Sequence, residues 1–238
     1  MQGLMMNMPL LISSVMEHAE RHHPHAEIVS RRTEGDIHRT TYGKVAKRTK
    51  QLANTLTALG VQQGENIATL AWNGYRHVEI YYAVSGMGAV VHTLNPRLFP
   101  EQLVYIINHA KDTMVFFDST FAPLVKAIAP ACPTVKRWVQ MCDEAAMPAE
   151  PAVAGCLNYE ALIKDASEQY VWPQLDENAA SGLCYTSGTT GNPKGALYSH
   201  RSTVLHAMAA CTPDALGLSS RDTILPVVPM FHVNAWGI

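Results

Sequence analysis

The segment "YTSGTTGNPKG", from Tyr185 to Gly195, can neither fill a hydrophobic core nor continue a helix. Hydroxyl-bearing residues and glycines fill positions 186–191, Pro193 stiffens the backbone, and Lys194 adds one cation. Glycines allow backbone conformations that expose successive N–H groups, which together form a concave anion site. Hydroxyls and an ammonium group add further partners for phosphate. The segment therefore predicts a loop that binds a polyphosphate. The predicted phosphate-binding residues are Thr186, Ser187, Gly188, Thr189, Thr190, Gly191 and Lys194.

The loop directly follows "GLCY", a short apolar run typical of a buried strand. Similar runs occur along the chain, among them "NIATLAW", "AVVHTL", "TMVFFD" and "VKRWVQM", and helical patterns separate them. This alternation predicts an α/β fold with a mostly parallel sheet, in which ligands bind beyond the carboxyl ends of the strands. A further strand is predicted in "DTILPVVPMFH", which ends in a loop.

The clearest predicted helix follows Thr41, whose hydroxyl suits an N-cap. In "YGKVAKRTKQLANTLTALG", Val45, Leu52, Leu56 and Leu59 fall on one face, and Gly60 ends the helix. Another helix begins at Pro100, a residue suited to the first helical turn. A further predicted helix carries His77, Glu79, Tyr81 and Tyr82, for which packing and solvation of the helix face are favoured over catalysis.

The composition excludes several classes of protein. The 238 residues are 47% hydrophobic and 16% charged, with a formal net charge of -2. This balance gives no electrostatic case for a nucleic-acid partner. No apolar run approaches the roughly 20 residues that a membrane-spanning helix needs. The five cysteines form no CxxC pair, and the histidines at 22–25 favour a solvated loop over a metal site. We expect a cytoplasmic protein.

The loop differs from two common nucleotide-binding motifs. A Walker A loop needs glycine before its lysine and Ser or Thr after it, whereas Pro193 and Gly195 hold those places here. The segment also lacks the GxGxxG pattern of dinucleotide-binding folds. A flexible linker rich in Ser, Thr and Gly is the remaining alternative, but linkers rarely follow a buried strand and end in Pro-Lys-Gly.

The segment "YTSGTTGNPKGALYSH" resembles the signature of the adenylate-forming enzymes, which include acyl-CoA synthetases, luciferases and adenylation domains. A second segment, "PMFHVNAWG" from Pro229 to Gly237, resembles the next core motif of that family. "LNPRL", "YIINHA" and "VFFD" look like the branch of medium- and long-chain fatty acyl-CoA synthetases. The resemblance covers nearly the whole chain.

The resemblance implies a reaction and roles for particular residues. Such enzymes activate a carboxylate with Mg-ATP and then transfer the acyl group to coenzyme A. Thr186 then corresponds to the hydroxyl that contacts Mg²⁺, and Lys194 neutralises phosphate charge. His232 orients the carboxylate and the nucleotide, although a buried core histidine is the simpler reading of the residue alone. Val233 lines the nucleotide pocket, and Trp236 resembles a gate to a fatty-acid tunnel.

The resemblance also implies a division of the chain and a limit on its activity. Residues 1–175 correspond to a first α/β subdomain, and residues 176–238 to the start of a nucleotide-binding subdomain. The metal-binding glutamate, the ribose aspartate and the carboxyl-terminal domain with its catalytic lysine have no counterpart here. We therefore expect an amino-terminal fragment that, alone, binds nucleotide weakly at best and does not form acyl-CoA.

Several properties stay open in the sequence. A non-catalytic nucleotide-binding module, or an aryl- or amino-acid-activating ligase, is the alternative to a fatty-acid–CoA ligase. Arg97 in "LNPRL" fits a turn and is a weaker candidate for a ligand or interface contact. The acyl chain length, peripheral contact with a membrane and the oligomeric state, with a homodimer among the options, are not decided.

Overall fold

The computed structural model of the chain describes residue 1, residues 3–186 and residues 192–232. The α-helices of that part are α1 (Ile12–His22), α2 (Tyr42–Ala58), α3 (Tyr75–Gly86), α4 (Pro100–Ala110), α5 (Ala122–Ile128), α6 (Tyr159–Ile163) and α7 (His200–Ala210). Its strands are β1 (Glu27–Arg31), β2 (Ile37–Thr41), β3 (Asn66–Leu70), β4 (Val90–Thr93), β5 (Met114–Asp118), β6 (Arg137–Met141), β7 (Leu157–Asn158), β8 (Ala180–Thr186) and β9 (Lys194–Ser199).

Seven of these strands form one sheet in the order β7-β6-β5-β3-β4-β8-β9. All neighbours in it are parallel except β8 and β9, which are antiparallel. The predicted α/β fold with a mostly parallel sheet is confirmed. Strands β1 and β2 form a separate antiparallel pair that the sequence reading did not include.

Apolar side chains cover both faces of the sheet. Ile67 and Phe116 pack with α2 and α3 on one face, whereas Ala68, Val115 and Phe117 pack with α4 and α5 on the other. Strands buried on both faces need apolar residues at consecutive positions rather than at alternate ones. This requirement explains the continuous runs from which the strands were predicted.

Helix α2 begins and ends as its sequence predicts. The Thr41 hydroxyl accepts a hydrogen bond from the Lys44 N–H, and such a cap contributes about 1 kcal/mol. Leu52 and Leu56 are fully buried beneath the helix, and each contributes roughly 1.5–3 kcal/mol by leaving water. Gly60 follows the helix with a φ of 84°, a conformation that favours glycine.

The strand predicted in "DTILPVVPMFH" is wrong, because these residues form an irregular segment as far as His232. Leu225 and Val227 are both 82% exposed, so the apolar run is not a core strand. Pro226 and Pro229 have no N–H to donate to a neighbouring strand. The carbonyls of Pro226 and Val228 instead accept hydrogen bonds from the Asn73 side chain.

Two further observations concern the whole chain. Strands β8 and β9 join the sheet through β4, so one sheet continues across the predicted boundary near residue 175, and the division into subdomains stays a prediction. Among the described residues, no helix combines the length and apolarity needed to cross a membrane.

Candidate active site at the carboxyl edge of the sheet

Parallel strands bring several polar residues to one edge of the sheet. Thr93 at the end of β4 lies in register with Thr69 of β3 and with Cys184 of β8. Asp118 ends β5, and Thr186 ends β8. Because the carboxyl ends of parallel strands meet at one edge, this edge is where ligands of open α/β sheets bind.

The base of the predicted phosphate loop is an antiparallel strand pair. Thr186 at the end of β8 lies directly opposite Lys194 at the start of β9, and both are exposed. Directly opposite residues of an antiparallel pair project to the same face of the sheet. The predicted hydroxyl ligand and the predicted cation are thus brought together where the loop leaves the sheet. Ser187, Gly188, Thr189, Thr190 and Gly191 lie outside the described residues.

Gly195, which breaks the Walker A pattern, has a packing role. A Cβ atom added there would lie 3.1 Å from Cζ of Tyr185 and 3.1 Å from Cδ1 of Leu183. The ring of Tyr185 therefore crosses the β9 backbone closely, and its hydroxyl shares a 2.7 Å hydrogen bond with Nδ1 of His109. Burial raises the pKa of Tyr185, so this group remains a neutral phenol at the loop base.

The second motif forms a turn that ends on an exposed histidine. The His232 N–H donates to the Pro229 carbonyl at 2.9 Å. Met230 and Phe231 are only 7% and 5% exposed, whereas His232 lies on the surface. The turn thus buries its apolar members and presents the predicted carboxylate-orienting side chain. Val233 and Trp236 lie outside the described residues.

Three side chains hold the backbone of this turn. The Asn73 Oδ1 atom accepts from the Met230 N–H at 2.6 Å, and the Tyr81 hydroxyl donates to the Met230 carbonyl at 2.5 Å. The Thr93 hydroxyl donates to the Phe231 carbonyl at 3.0 Å. We call Asn73, Tyr81 and Thr93 the clamp. It links the second motif to β3, α3 and β4.

The Phe231 ring is held by two neighbours. It lies 6.2 Å from the Trp72 ring, centroid to centroid, and the Arg97 guanidinium carbon lies 5.9 Å from its centroid. The turn predicted at "LNPRL" is present, since the Leu98 N–H donates to the Asn95 carbonyl. Arg97 therefore has a packing role against the second motif, and a ligand contact for it stays a prediction.

With this geometry in place, the chain was compared with known proteins. A family model described as AMP-binding enzyme matches residues 16–238. The chain belongs to the AMP-binding enzyme family. It is 56% identical to the 3-methylmercaptopropionyl-CoA ligase of Ruegeria lacuscaerulensis, covering 100% of this chain and 44% of that ligase. It is 53% identical to the medium-chain-fatty-acid–CoA ligase of Ectopseudomonas oleovorans, covering 100% of this chain and 43% of that ligase.

A solved structure supports the same family assignment. The inhibitor-bound N-terminal domain of FACL13 from Mycobacterium tuberculosis matches with a TM-score of 0.79 at 25% identity, covering 95% of this chain and 53% of that one. The predicted resemblance to adenylate-forming enzymes is confirmed. This AMP-binding chain spans less than half the length of the ligases named above.

Polar side chains support the turn after β3. The Trp72 N–H donates to Oδ2 of Asp118 at 2.7 Å, and burial raises the pKa of Asp118 to about 7. His77 joins the Trp72 carbonyl at 3.0 Å and the Thr69 hydroxyl at 2.9 Å. Burial lowers the pKa of His77 to about 4, so it is neutral, and its Nδ1 carries the proton that the carbonyl accepts. His77 is a buried packing residue and not a solvated one.

A second group of charges lies beneath α2 and is internally paired. Glu79, fully buried, accepts from Arg48 at 2.7 Å and from the Tyr159 hydroxyl at 2.8 Å. Arg48 also reaches Glu160 at 2.9 Å, and Arg76 reaches it at 2.8 Å. Burial raises the pKa of Glu79, against the lowering effect of Arg48. Glu79 is therefore also buried and not solvated, and both carboxylates of this cluster have arginine partners.

The described residues offer limited support for a metal ion. They contain no group of three or more His, Cys, Asp or Glu side chains that would hold a metal ion. The histidines at 22–25 therefore form no such group either. Mg²⁺ prefers oxygen ligands and usually keeps waters and substrate phosphates among them. The Thr186 hydroxyl fits one position of such a set, so the residues present are compatible with magnesium bound mainly through a nucleotide.

Sequence reasoning missed the clamp. Asn73 directly follows a buried strand, which is a signal for the edge where ligands bind. Thr93 is a polar residue at the end of an otherwise apolar run. Tyr81 was interpreted as helix-face packing, and nothing local indicates that its hydroxyl meets a carbonyl 149 residues away.

Proposed function

We propose that this chain contributes the phosphate-binding part of an ATP-dependent carboxylate–CoA ligase. A carboxylate oxygen attacks the α-phosphorus of ATP, the bond to the bridging oxygen breaks, and pyrophosphate leaves. The thiol of coenzyme A then attacks the acyl carbonyl of the acyl-adenylate, giving acyl-CoA and AMP. Negative charge grows on the departing pyrophosphate, and donors already in place stabilise that charge.

Residues of the two motifs supply specific parts of the proposed chemistry. Lys194 neutralises charge on the β- and γ-phosphates, and the loop between Thr186 and Lys194 surrounds them. Magnesium, when bound, supplies positive charge for the phosphate oxygens, with Thr186 as its protein ligand. His232 orients the carboxylate toward the α-phosphorus, Val233 lines the nucleotide pocket, and Trp236 borders the acyl group.

The proposed substrate is an unbranched aliphatic carboxylate. The relatives at 56% and 53% identity are named for a methylmercaptopropionyl group and for medium-chain fatty acids, and both are aliphatic acyl groups. A fatty acid remains the substrate class that the sequence predicts, with its chain length open. A cytoplasmic location, contact with a membrane surface and a homodimer stay predictions.

The pairing of Thr186 with Lys194 across the loop base is the observation that carries the proposal. To test it, residues 1–238 replace the aligned segment of the Ruegeria lacuscaerulensis ligase, and carboxylate-dependent ATP–pyrophosphate exchange is measured. Lys194→Ala and Thr186→Ala each lower exchange by about 100- to 1000-fold, as expected when one charge-stabilising donor is removed.

A matched control separates this effect from a general loss of surface charge. Lys126 is an exposed lysine of α5, and Lys126→Ala leaves exchange unchanged. Exchange that persists at the unsubstituted level in both loop variants contradicts the proposed function. A panel of 3-methylmercaptopropionate, octanoate and palmitate then ranks the aliphatic substrates, and preference for benzoate contradicts the proposed class.

A further inference from the structure

The clamp fixes the backbone of the second motif from three different elements. Asn73 lies after β3, Tyr81 on α3 and Thr93 on β4. The hydrogen bonds of the clamp to residues 226–231 go to backbone atoms, and they include two from Asn73 to the carbonyls of Pro226 and Val228 at 2.8 and 3.1 Å. The clamp therefore sets where the chain runs, whatever side chains the segment carries.

The clamp is itself held rigidly. Asp118 fixes the N–H of Trp72 and His77 fixes its carbonyl, so the residue before Asn73 has both backbone groups bonded. Thr93 is only 5% exposed, and Tyr81 is 3% exposed. Side chains locked by packing and by further hydrogen bonds are what precise positioning requires.

The clamp also links the two motifs. Thr93 bonds the carbonyl of Phe231, the residue before His232, and Thr93 lies in register with Cys184, two positions before Thr186. His232 and the phosphate loop are therefore tied to the same pair of neighbouring strands. A displacement of about 1 Å between reacting groups can cost about 100-fold in rate.

We propose that Asn73, Tyr81 and Thr93 are positioning residues that hold His232 in place relative to the nucleotide phosphates. They act through the backbone of Met230 and Phe231 and contact neither substrate. The proposal rests on the proposed function, because it takes the nucleotide to bind at the loop after Thr186.

The test uses the 238-residue chain and two NMR readouts. The first is the exchange rate of the Met230 amide proton, which Asn73 accepts. The second is the change in the His232 imidazole Cε1–H resonance when millimolar Mg-ATP is added, with His232→Gln used to assign that resonance. Exchange at the Phe116 amide in β5 reports global unfolding and serves as the internal reference.

The variants are chosen as matched pairs. Thr93→Val keeps the shape and removes the hydroxyl, whereas Thr93→Ser keeps the hydroxyl. We expect Asn73→Ala, which removes the acceptor of the Met230 N–H, to speed Met230 exchange about five- to tenfold, the loss of about one hydrogen bond. Thr93→Val removes the donor to the Phe231 carbonyl, and its effect is measured at His232. In both, the ATP-induced change at His232 falls by at least half, Phe116 exchange is unaltered, and Thr93→Ser matches the wild type.

Three outcomes are distinguishable. Variants that keep the wild-type change at His232 overturn the positioning role. A parallel rise in Phe116 exchange also overturns it, because the loss at His232 then follows from global unfolding. If Mg-ATP changes none of the Thr186, Lys194 and His232 resonances of the wild-type chain, the proposed function is contradicted. The positioning proposal is then contradicted as well. The expected pattern supports both.

Discussion

Arg48 and Lys194 are both cations, and they lie in opposite surroundings. Arg48 is enclosed between Glu79 and Glu160, with its guanidinium 5.5 Å from the centroid of the Tyr75 ring. Lys194 is exposed at the sheet edge opposite a threonine. A cation whose neighbours are carboxylates stabilises the fold, whereas one held open beside hydroxyls is available for an anionic ligand.

The same contrast applies to the groove above Arg48. It has a volume of about 570 Å³, and its walls include Lys44, Lys47 and Arg39. Lys47 pairs with Glu168, and Arg39 pairs with Glu27, so acidic partners offset much of its positive charge. At the loop base, Lys194 lies opposite Thr186 instead of a carboxylate, an arrangement better suited to phosphate.

The largest expected effect on stability comes from removing the Arg48 cation from its buried carboxylate partner. Arg48→Met leaves Glu79 buried without its cation, which should lower the free energy of unfolding by about 3–5 kcal/mol. Urea denaturation measures it. The control is Lys47→Met, which breaks an exposed pair and should cost less than about 1 kcal/mol. Equal effects of the two substitutions would refute the distinction between the regions.

A smaller effect on stability is expected from Asp118, which accepts from the N–H of Trp72, the residue before Asn73 of the clamp. Its pKa is raised in the fold, so the stability it contributes is complete below its unfolded pKa near 4 and is lost as pH rises through about 7. Asp118→Asn keeps an oxygen that accepts from Trp72 and removes the ionisation.

Relative to wild type, Asp118→Asn should therefore gain stability as pH rises from 4 to 7, by roughly 1–3 kcal/mol. Urea denaturation at several pH values in this window gives the difference, with the exposed Asp214→Asn as control. A difference that is flat with pH would contradict the raised pKa of Asp118. His77 has the opposite sign: its stabilisation is present above its unfolded pKa near 6.5 and is lost as pH falls through about 4.

The smallest expected effect on stability comes from the exposed region. Lys194→Ala removes an exposed side chain at the start of β9 and should change the free energy of unfolding by no more than about 0.5 kcal/mol. The same urea experiment measures it. A loss of several kcal/mol would show that Lys194 stabilises the fold, as Arg48 does.

Much of the fold follows from local patterns. The Thr41 cap and the apolar face of α2 predict that helix, and continuous apolar runs predict β3, β4 and β5 because both sheet faces are covered. The loop after β8 is likewise a prediction from local composition, which suits neither core nor helix.

The remainder depends on contacts between distant parts of the chain. The clamp joins residues 138–157 positions apart, and no local pattern encodes such a pairing. The apolar run around Leu225 predicts a strand, but its carbonyls bond to Asn73 and its prolines cannot donate. Likewise, the sequence alone indicates only that Glu79 lies on a helix, and the fold shows that Arg48 and Tyr159 bind its carboxylate.

The most direct test of the central claim is to find where Mg-ATP binds the 238-residue chain. Backbone amide resonances are followed during a titration with Mg-ATP and, separately, with tripolyphosphate. We predict that both ligands shift the amides of Thr186 and Lys194, that Lys194→Ala weakens the response, and that Lys44 and Arg48 are unaffected. Shifts at Lys44 and Arg48, with none at Thr186 and Lys194, would contradict the account.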